Sequence, residues 1–124
     1  MSKAVSVLIV DDRPSMASTL ADLLEAKGFT VHDACSGAEA LAILRKHAVD
    51  VMLTDVIMEE MNGVALYRET KKIQPGLTTF FMTAYSADEL IEQGMKEGIK
   101  AVLNKPLDIE LLIMMLRVAG GNSK

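Results

Sequence analysis

The chain has little of several things, and each shortage excludes something. One cysteine in 124 residues rules out an intrachain disulfide and points to a reducing compartment, the cytoplasm. Nothing basic adjoins Cys35 in sequence, so it reads as a small packed hydrophobe rather than a reactive thiol. There is no tryptophan, and aromatics make up only 4% of the chain. The two histidines, His32 and His47, have no further histidine or cysteine at ligand spacing, so they read as surface residues. Half of the residues are hydrophobic, yet no run nears the ~18 apolar residues of a membrane span. The apolar start meets acid at Asp11-Asp12, which does not suit a signal peptide. Basic residues are scattered and the net charge is −4, so this domain by itself shows no footprint for nucleic acid. Repeats, low-complexity stretches and linkers are missing as well. The length fits one domain over residues 1–119, with a flexible tail over 120–124.

Strand and helix signals alternate five times along the chain. Strands are predicted over 5–10, 29–34, 49–54, 78–83 and 101–104. The third is apolar almost throughout, as suits a strand covered on both faces. Pro14 fits the first turn of a helix that Gly28 stops. Ser36 and Glu39 form a capping box, as do Ser86 and Glu89. Asn62-Gly63 marks a turn before a helix to about Ile73, and Gly98 closes the next. Asp108 can cap a last helix over 109–119, with Gly120-Gly121 as its stop. The pattern predicts a parallel sheet with helices on both faces and right-handed crossovers.

Four of these strands end in polar residues of complementary chemistry. The first runs into Asp11-Asp12, the third into Asp55, the fourth into Thr83 and the fifth into Lys105-Pro106. Taken singly, each has an ordinary explanation as a cap, a turn residue or a loop. Together they would share the carboxyl edge of one sheet, where open α/β sheets bind ligands. Crowded carboxylates repel one another until a hard cation relieves them, and Mg²⁺ prefers a few carboxylates with water and phosphate oxygens. Asp55 would then be a carboxylate nucleophile, with Thr83 and Lys105 stabilising charge on a transferred phosphoryl group.

The segments LIVDD (8–12), LTD (53–55), MTAY (82–85) and NKP (104–106) resemble, in order, those of response-regulator receiver domains of two-component signalling. The resemblance covers essentially the whole chain. Over residues 82–112 the chain is also similar to sporulation phosphorelay receivers and to receivers of enhancer-binding transcription regulators. It implies a doubly wound, flavodoxin-like three-layer α/β/α fold with strand order 2-1-3-4-5. It implies a histidine kinase or phosphotransfer protein as donor and Asp55 as phospho-acceptor. Mg²⁺, with Mn²⁺ as substitute, would be held by Asp12, Asp55 and the backbone carbonyl of Ile57, with Asp11 acting mainly through water. Thr83 and Lys105 would contact the phosphoryl oxygens, and the Lys105–Pro106 bond would be cis. Such a protein is a switch modified stoichiometrically, not a conventional enzyme.

Two rivals are weaker. A Mg²⁺-dependent phosphatase with an Asp nucleophile usually has a second Asp two residues on, where this chain has Ile57. A phosphorylation-independent interaction module should lack one of the five site residues, and all are present. Departures from the family concern Glu59, at a position often held by proline, and Val102, where many receivers carry an aromatic that reports phosphorylation. Ile57 and Tyr85 would flank the path of hydrolytic water. The last helix is apolar all round over 111–116, which predicts a homodimer or output-partner surface shared with the fourth helix and fifth strand.

Overall fold

Every predicted apolar run forms a strand in the computed structural model, which describes residues 4–84 and 87–121. The strands are β1 (Ser6–Val10), β2 (Thr30–Ala34), β3 (Val51–Asp55), β4 (Thr78–Thr83) and β5 (Ala101–Asn104). All pair in parallel in the order β2-β1-β3-β4-β5. Between and after them run α1 (Pro14–Ala26), α2 (Gly37–Lys46), α3 (Gly63–Ile73), α4 (Asp88–Glu97) and α5 (Ile109–Gly121).

Alternation along each strand sorts side chains onto two faces. Val7 and Ile9 of β1 join Leu53 and Met82 beneath α1 and α5. Leu8 and Val10 join Met52 beneath α2 and α3. A third cluster packs Phe81 against Val64 and Tyr67 of α3 and Ile99 beyond α4. The inner strands β1, β3 and β4 are thus almost wholly dry on both sides, while the edge strands β2 and β5 are only partly covered.

The helix boundaries follow from local chemistry. Pro14 opens α1, and Gly28, at φ +99°, takes the left-handed conformation that ends it. The Ser36 Oγ accepts the Glu39 N–H at 3.1 Å, but the Glu39 carboxylate reaches one residue further back, to the Cys35 N–H at 2.9 Å. Cys35 is therefore half-buried beside that carboxylate instead of packed as an apolar residue. Asn62-Gly63 proves to be a cap in place of a free turn: the Asn62 Oδ1 accepts the Ala65 N–H at 2.9 Å. The Asp108 Oδ1 accepts the Leu111 N–H at 3.2 Å, as expected of a cap. Ala87 is the N-cap of α4, and Ser86 lies outside the described residues.

Two expectations need correction. Gly120 and Gly121 do not stop the last helix but belong to it. A Cβ on Gly120 would collide with a Val5 methyl, so the glycine lets the helix end pack against the residue that leads into β1. The expected tail from 120 therefore begins inside α5, and residues 122–124 lie outside the described residues. The apolar surround of α5 is also only partly exposed. Leu112 and Leu116 are buried and Ile113 packs on the core, while Leu111, Met114 and Val118 form an exposed stripe at i, i+3 and i+7.

Candidate functional site

The site lies where strand order reverses, between β1 and β3, at the carboxyl ends of the strands. Ile9–Leu53 and Val10–Thr54 pairing brings the end of β1 level with that of β3. Asp55 is the last residue of β3 rather than the first beyond it. It pairs with Met82, one step before Thr83, and Thr83 pairs with Asn104, one step before Lys105. The Lys105 N–H donates to the Thr83 carbonyl at 2.9 Å, and the Lys105–Pro106 bond is cis, as expected.

These registers bring the charged groups together. The Lys105 Nζ donates to Asp11 Oδ2 at 2.9 Å and to Asp55 Oδ2 at 3.1 Å. Asp11, Asp55 and Thr83 are buried, and Asp12 is half-buried. Burial pushes the Asp55 carboxyl up from its ordinary range. The bond and the charge of Lys105 draw it back, neighbouring Asp11 raises it and Arg13 lowers it. Carboxylate oxygens of Asp11, Asp12 and Asp55 lie within 4.8 Å of one another. Three converging hard oxygen donors beside the buried Lys105 ammonium suit a divalent cation.

Sequence reasoning missed several supports of the site. The Glu59 N–H donates to Asp12 Oδ2 at 3.1 Å, a bond that proline at this position would forfeit. Glu60 follows in the left-handed conformation at φ 71°, so the loop after Asp55 carries local strain. The Arg13 N–H donates to Asp11 Oδ1 at 3.0 Å, and its Nε stands 3.6 Å from the same oxygen. The Ile57 side chain is 48% exposed next to the site, whereas Tyr85 lies outside the described residues. Val102 packs partly against the Phe81 cluster.

Features away from the site also escaped the sequence. The rings of His32 and His47 stack with centroids 4.6 Å apart, although 15 residues separate them in the chain. Burial and the facing His47 hold the His32 imidazole below the usual histidine value, against an opposing pull from Asp33. Arg68 grips the Glu97 carboxylate with two bonds, of 2.9 and 2.6 Å, and the Tyr67 hydroxyl donates to the Glu97 carbonyl at 3.2 Å. The carboxyl end of α4 is thus tied to α3. Among the described residues no helix is long and apolar enough to cross a membrane.

A doubly wound α/β domain with an acidic pocket and a paired lysine at its switch point is the class that fold and site define. Residues 7–117 match the response regulator receiver domain, and the chain belongs to that family. It is 41% identical over 106 residues to a response regulator receiver protein of Anaeromyxobacter sp. (strain Fw109-5), covering 86% of this chain and 44% of that protein. It is 38% identical over 115 residues to the transcriptional regulatory protein ZraR of Escherichia coli (strain K12), covering 93% of this chain and 26% of that one. The chain thus spans less than half of the length of these curated relatives. Among solved structures, the signal receiver domain of an HD domain-containing protein from Pseudomonas fluorescens Pf-5 superposes with a TM-score of 0.88 at 28% identity, covering 94% of each chain. A response regulator from Burkholderia pseudomallei, solved with a phosphorylated aspartic acid and a calcium ion, gives 0.83 at 27% identity, covering 90% of this chain and 66% of that one.

Proposed function

We propose that Asp55 accepts a phosphoryl group from a histidine kinase or a phosphotransfer protein, in a reaction that needs Mg²⁺ or Mn²⁺. The observation that carries this is the convergence of Asp11, Asp12 and Asp55 at the switch point, with the Lys105 ammonium bonded to Asp11 and Asp55. An Asp55 oxygen forms the new P–O bond while the P–N bond to the donor imidazole breaks, and the imidazole leaves with a proton from solvent. Asp12, Asp55 and the Ile57 carbonyl would hold the cation, with Asp11 acting through water. The cation would offset charge on the phosphoryl oxygens. Lys105 and the Thr83 hydroxyl take the remaining oxygens, and buried surroundings strengthen these contacts. The product is a modified side chain, so the domain acts as a switch and not as a turnover enzyme. Presence of a phosphorylated aspartic acid in the Burkholderia relative supports this reading.

The test is intact-mass spectrometry with a small acyl-phosphate donor. One phosphoryl group should add in the presence of Mg²⁺, none with chelator, and none to Asp55→Ala. Label on Asp55→Ala, or no label on the wild type with metal, overturns the reading.

The switched state would be read through α5, by a second copy of this chain. Its exposed stripe of Leu111, Met114 and Val118 is an apolar seam that a two-fold axis can pack on itself. Met114 is 60% exposed, so Met114→Glu should leave the fold intact while keeping the phosphorylated protein monomeric. Sedimentation of the phosphorylated wild type as a monomer at high concentration would refute the seam.

A further inference from the structure

Arg13 occupies a position that its helix disfavours. It is the N-cap of α1, in extended conformation, and its side chain makes no capping bond. That position favours Ser, Thr, Asp or Asn, and a cation there opposes the positive end of the helix dipole. A residue that breaks a local rule without local gain is usually serving a site. The site is adjacent: the guanidinium, half exposed, lies 3.6 Å from Asp11 Oδ1, on the side of that carboxylate away from Lys105. Asp12, whose other neighbour is the Glu59 N–H, precedes it directly.

Charge around the mouth shows what such a cation can do. Asp11 and Asp55 bind Lys105 inside with Asp12 beside them, and Glu59 and Glu60 are both exposed on the loop whose Glu59 N–H bonds Asp12. A donor's phosphoryl dianion must pass these acids. Guanidinium suits that passage because its planar fork matches two phosphate oxygens.

We propose that Arg13 is a phosphoryl-binding residue that rests on Asp11 until a water of the bound divalent cation claims that carboxylate, and is then free to hold the incoming dianion at the mouth of the site. This rests on Asp55 being the phospho-acceptor. Arg13 and the hydrated cation compete for Asp11, so the arginine weakens metal binding in the absence of donor and speeds transfer in its presence. A merely structural residue would not move these two quantities in opposite directions.

The test compares wild type, Arg13→Ser and Arg13→Lys. Three quantities are measured: Mg²⁺ affinity by calorimetry without donor, the rate of labelling by acetyl phosphate at saturating Mg²⁺, and thermal stability. Arg13→Ser should melt higher, having gained a cap, and should bind Mg²⁺ more tightly. It should label about tenfold more slowly, the factor that ~1.4 kcal/mol gives. Arg13→Lys should recover part of the rate. Labelling of Arg13→Ser as fast as wild type, or a fall in its Mg²⁺ affinity, overturns the proposal while leaving Asp55 as acceptor. A wild type that takes no phosphoryl group overturns both, and is distinguished by that alone.

Discussion

Lys105→Met should destabilise the metal-free protein by about 3 kcal/mol at neutral pH, a loss that excess Mg²⁺ largely restores. Lys105 is the ammonium that bonds both Asp11 and Asp55, and all three side chains are nearly dry. Removing it leaves two buried carboxylates facing one another with no cation between them. A bound Mg²⁺ would resupply the missing positive charge, so the metal dependence of stability should be steeper in the variant than in wild type. The pH dependence has a definite sign. The Asp55 carboxyl is already raised in the fold by burial, and Lys105 is what draws it down. Without Lys105 it rises further, so the folded state binds protons that the unfolded state has released. The variant should therefore lose stability as pH climbs from the ordinary carboxylate range to the raised value, and stay flat above it. Labelling by acetyl phosphate at saturating Mg²⁺ should fall about a hundredfold, as when one charge-stabilising donor is lost from a buried site. Urea denaturation with and without Mg²⁺ across pH measures the stability terms. A loss below ~1 kcal/mol that is indifferent to metal would mean the pairs contribute little.

The strands were legible because burial on both faces demands nearly unbroken apolar runs, and Val7–Val10 and Val51–Leu53 are fully buried as that demands. Strand ends were legible for a related reason: the first charged residue after a dry strand has to sit at the sheet edge. This places Asp11, Asp55 and Lys105 in one crevice, and the hydroxyl of Thr83 at the end of β4 joins them. What was not legible depends on where backbone and side chains meet across the chain. Nothing in the spacing of His32 and His47 shows that the end of α2 stacks one ring on the other. The hold of Arg68 and Tyr67 on Glu97 joins residues about 30 apart. Apolar content alone could not divide α5 into the buried Leu112 and Leu116 and the exposed Met114, since every position over 111–116 is apolar. Gly120-Gly121 read as a stop because glycine is a poor helix former, and tertiary packing against Val5 overrode that propensity. Arg13 carried a signal that went unread: a basic residue just before the proline that opens a helix is a poor cap and needs another reason to be there.

Gly63 is where fold and site depend on one hydrogen atom. Its N–H donates to the Val56 carbonyl at 2.7 Å, which seats the start of α3 against the end of β3. A Cβ there would lie 2.7 Å from the Asp55 carbonyl oxygen and 3.1 Å from both the Val56 Cα and the Phe81 ring. Two of those three neighbours are backbone and cannot rotate away. The same Asp55 carbonyl also accepts the Thr54 hydroxyl at 3.0 Å, so a shift there disturbs the strand end as well. Gly63→Ala should cost roughly 2 kcal/mol through overpacking, although alanine is the better helix former. Its effect on chemistry should exceed its effect on stability. Displacing Asp55 by even a fraction of an ångström moves the nucleophile relative to Lys105 and the other carboxylates, and misplacement of about 1 Å can cost a hundredfold in rate. Gly76→Ala is the control: nothing lies within 4 Å of a Cβ at that position, so both stability and labelling should stay near wild type. Urea denaturation and acetyl phosphate labelling at a temperature where both variants are folded would separate the two effects. Should Gly63→Ala label at the wild-type rate despite its stability loss, the end of β3 tolerates the shift, and Asp55 is positioned by its bond to Lys105 and not by the seat of α3.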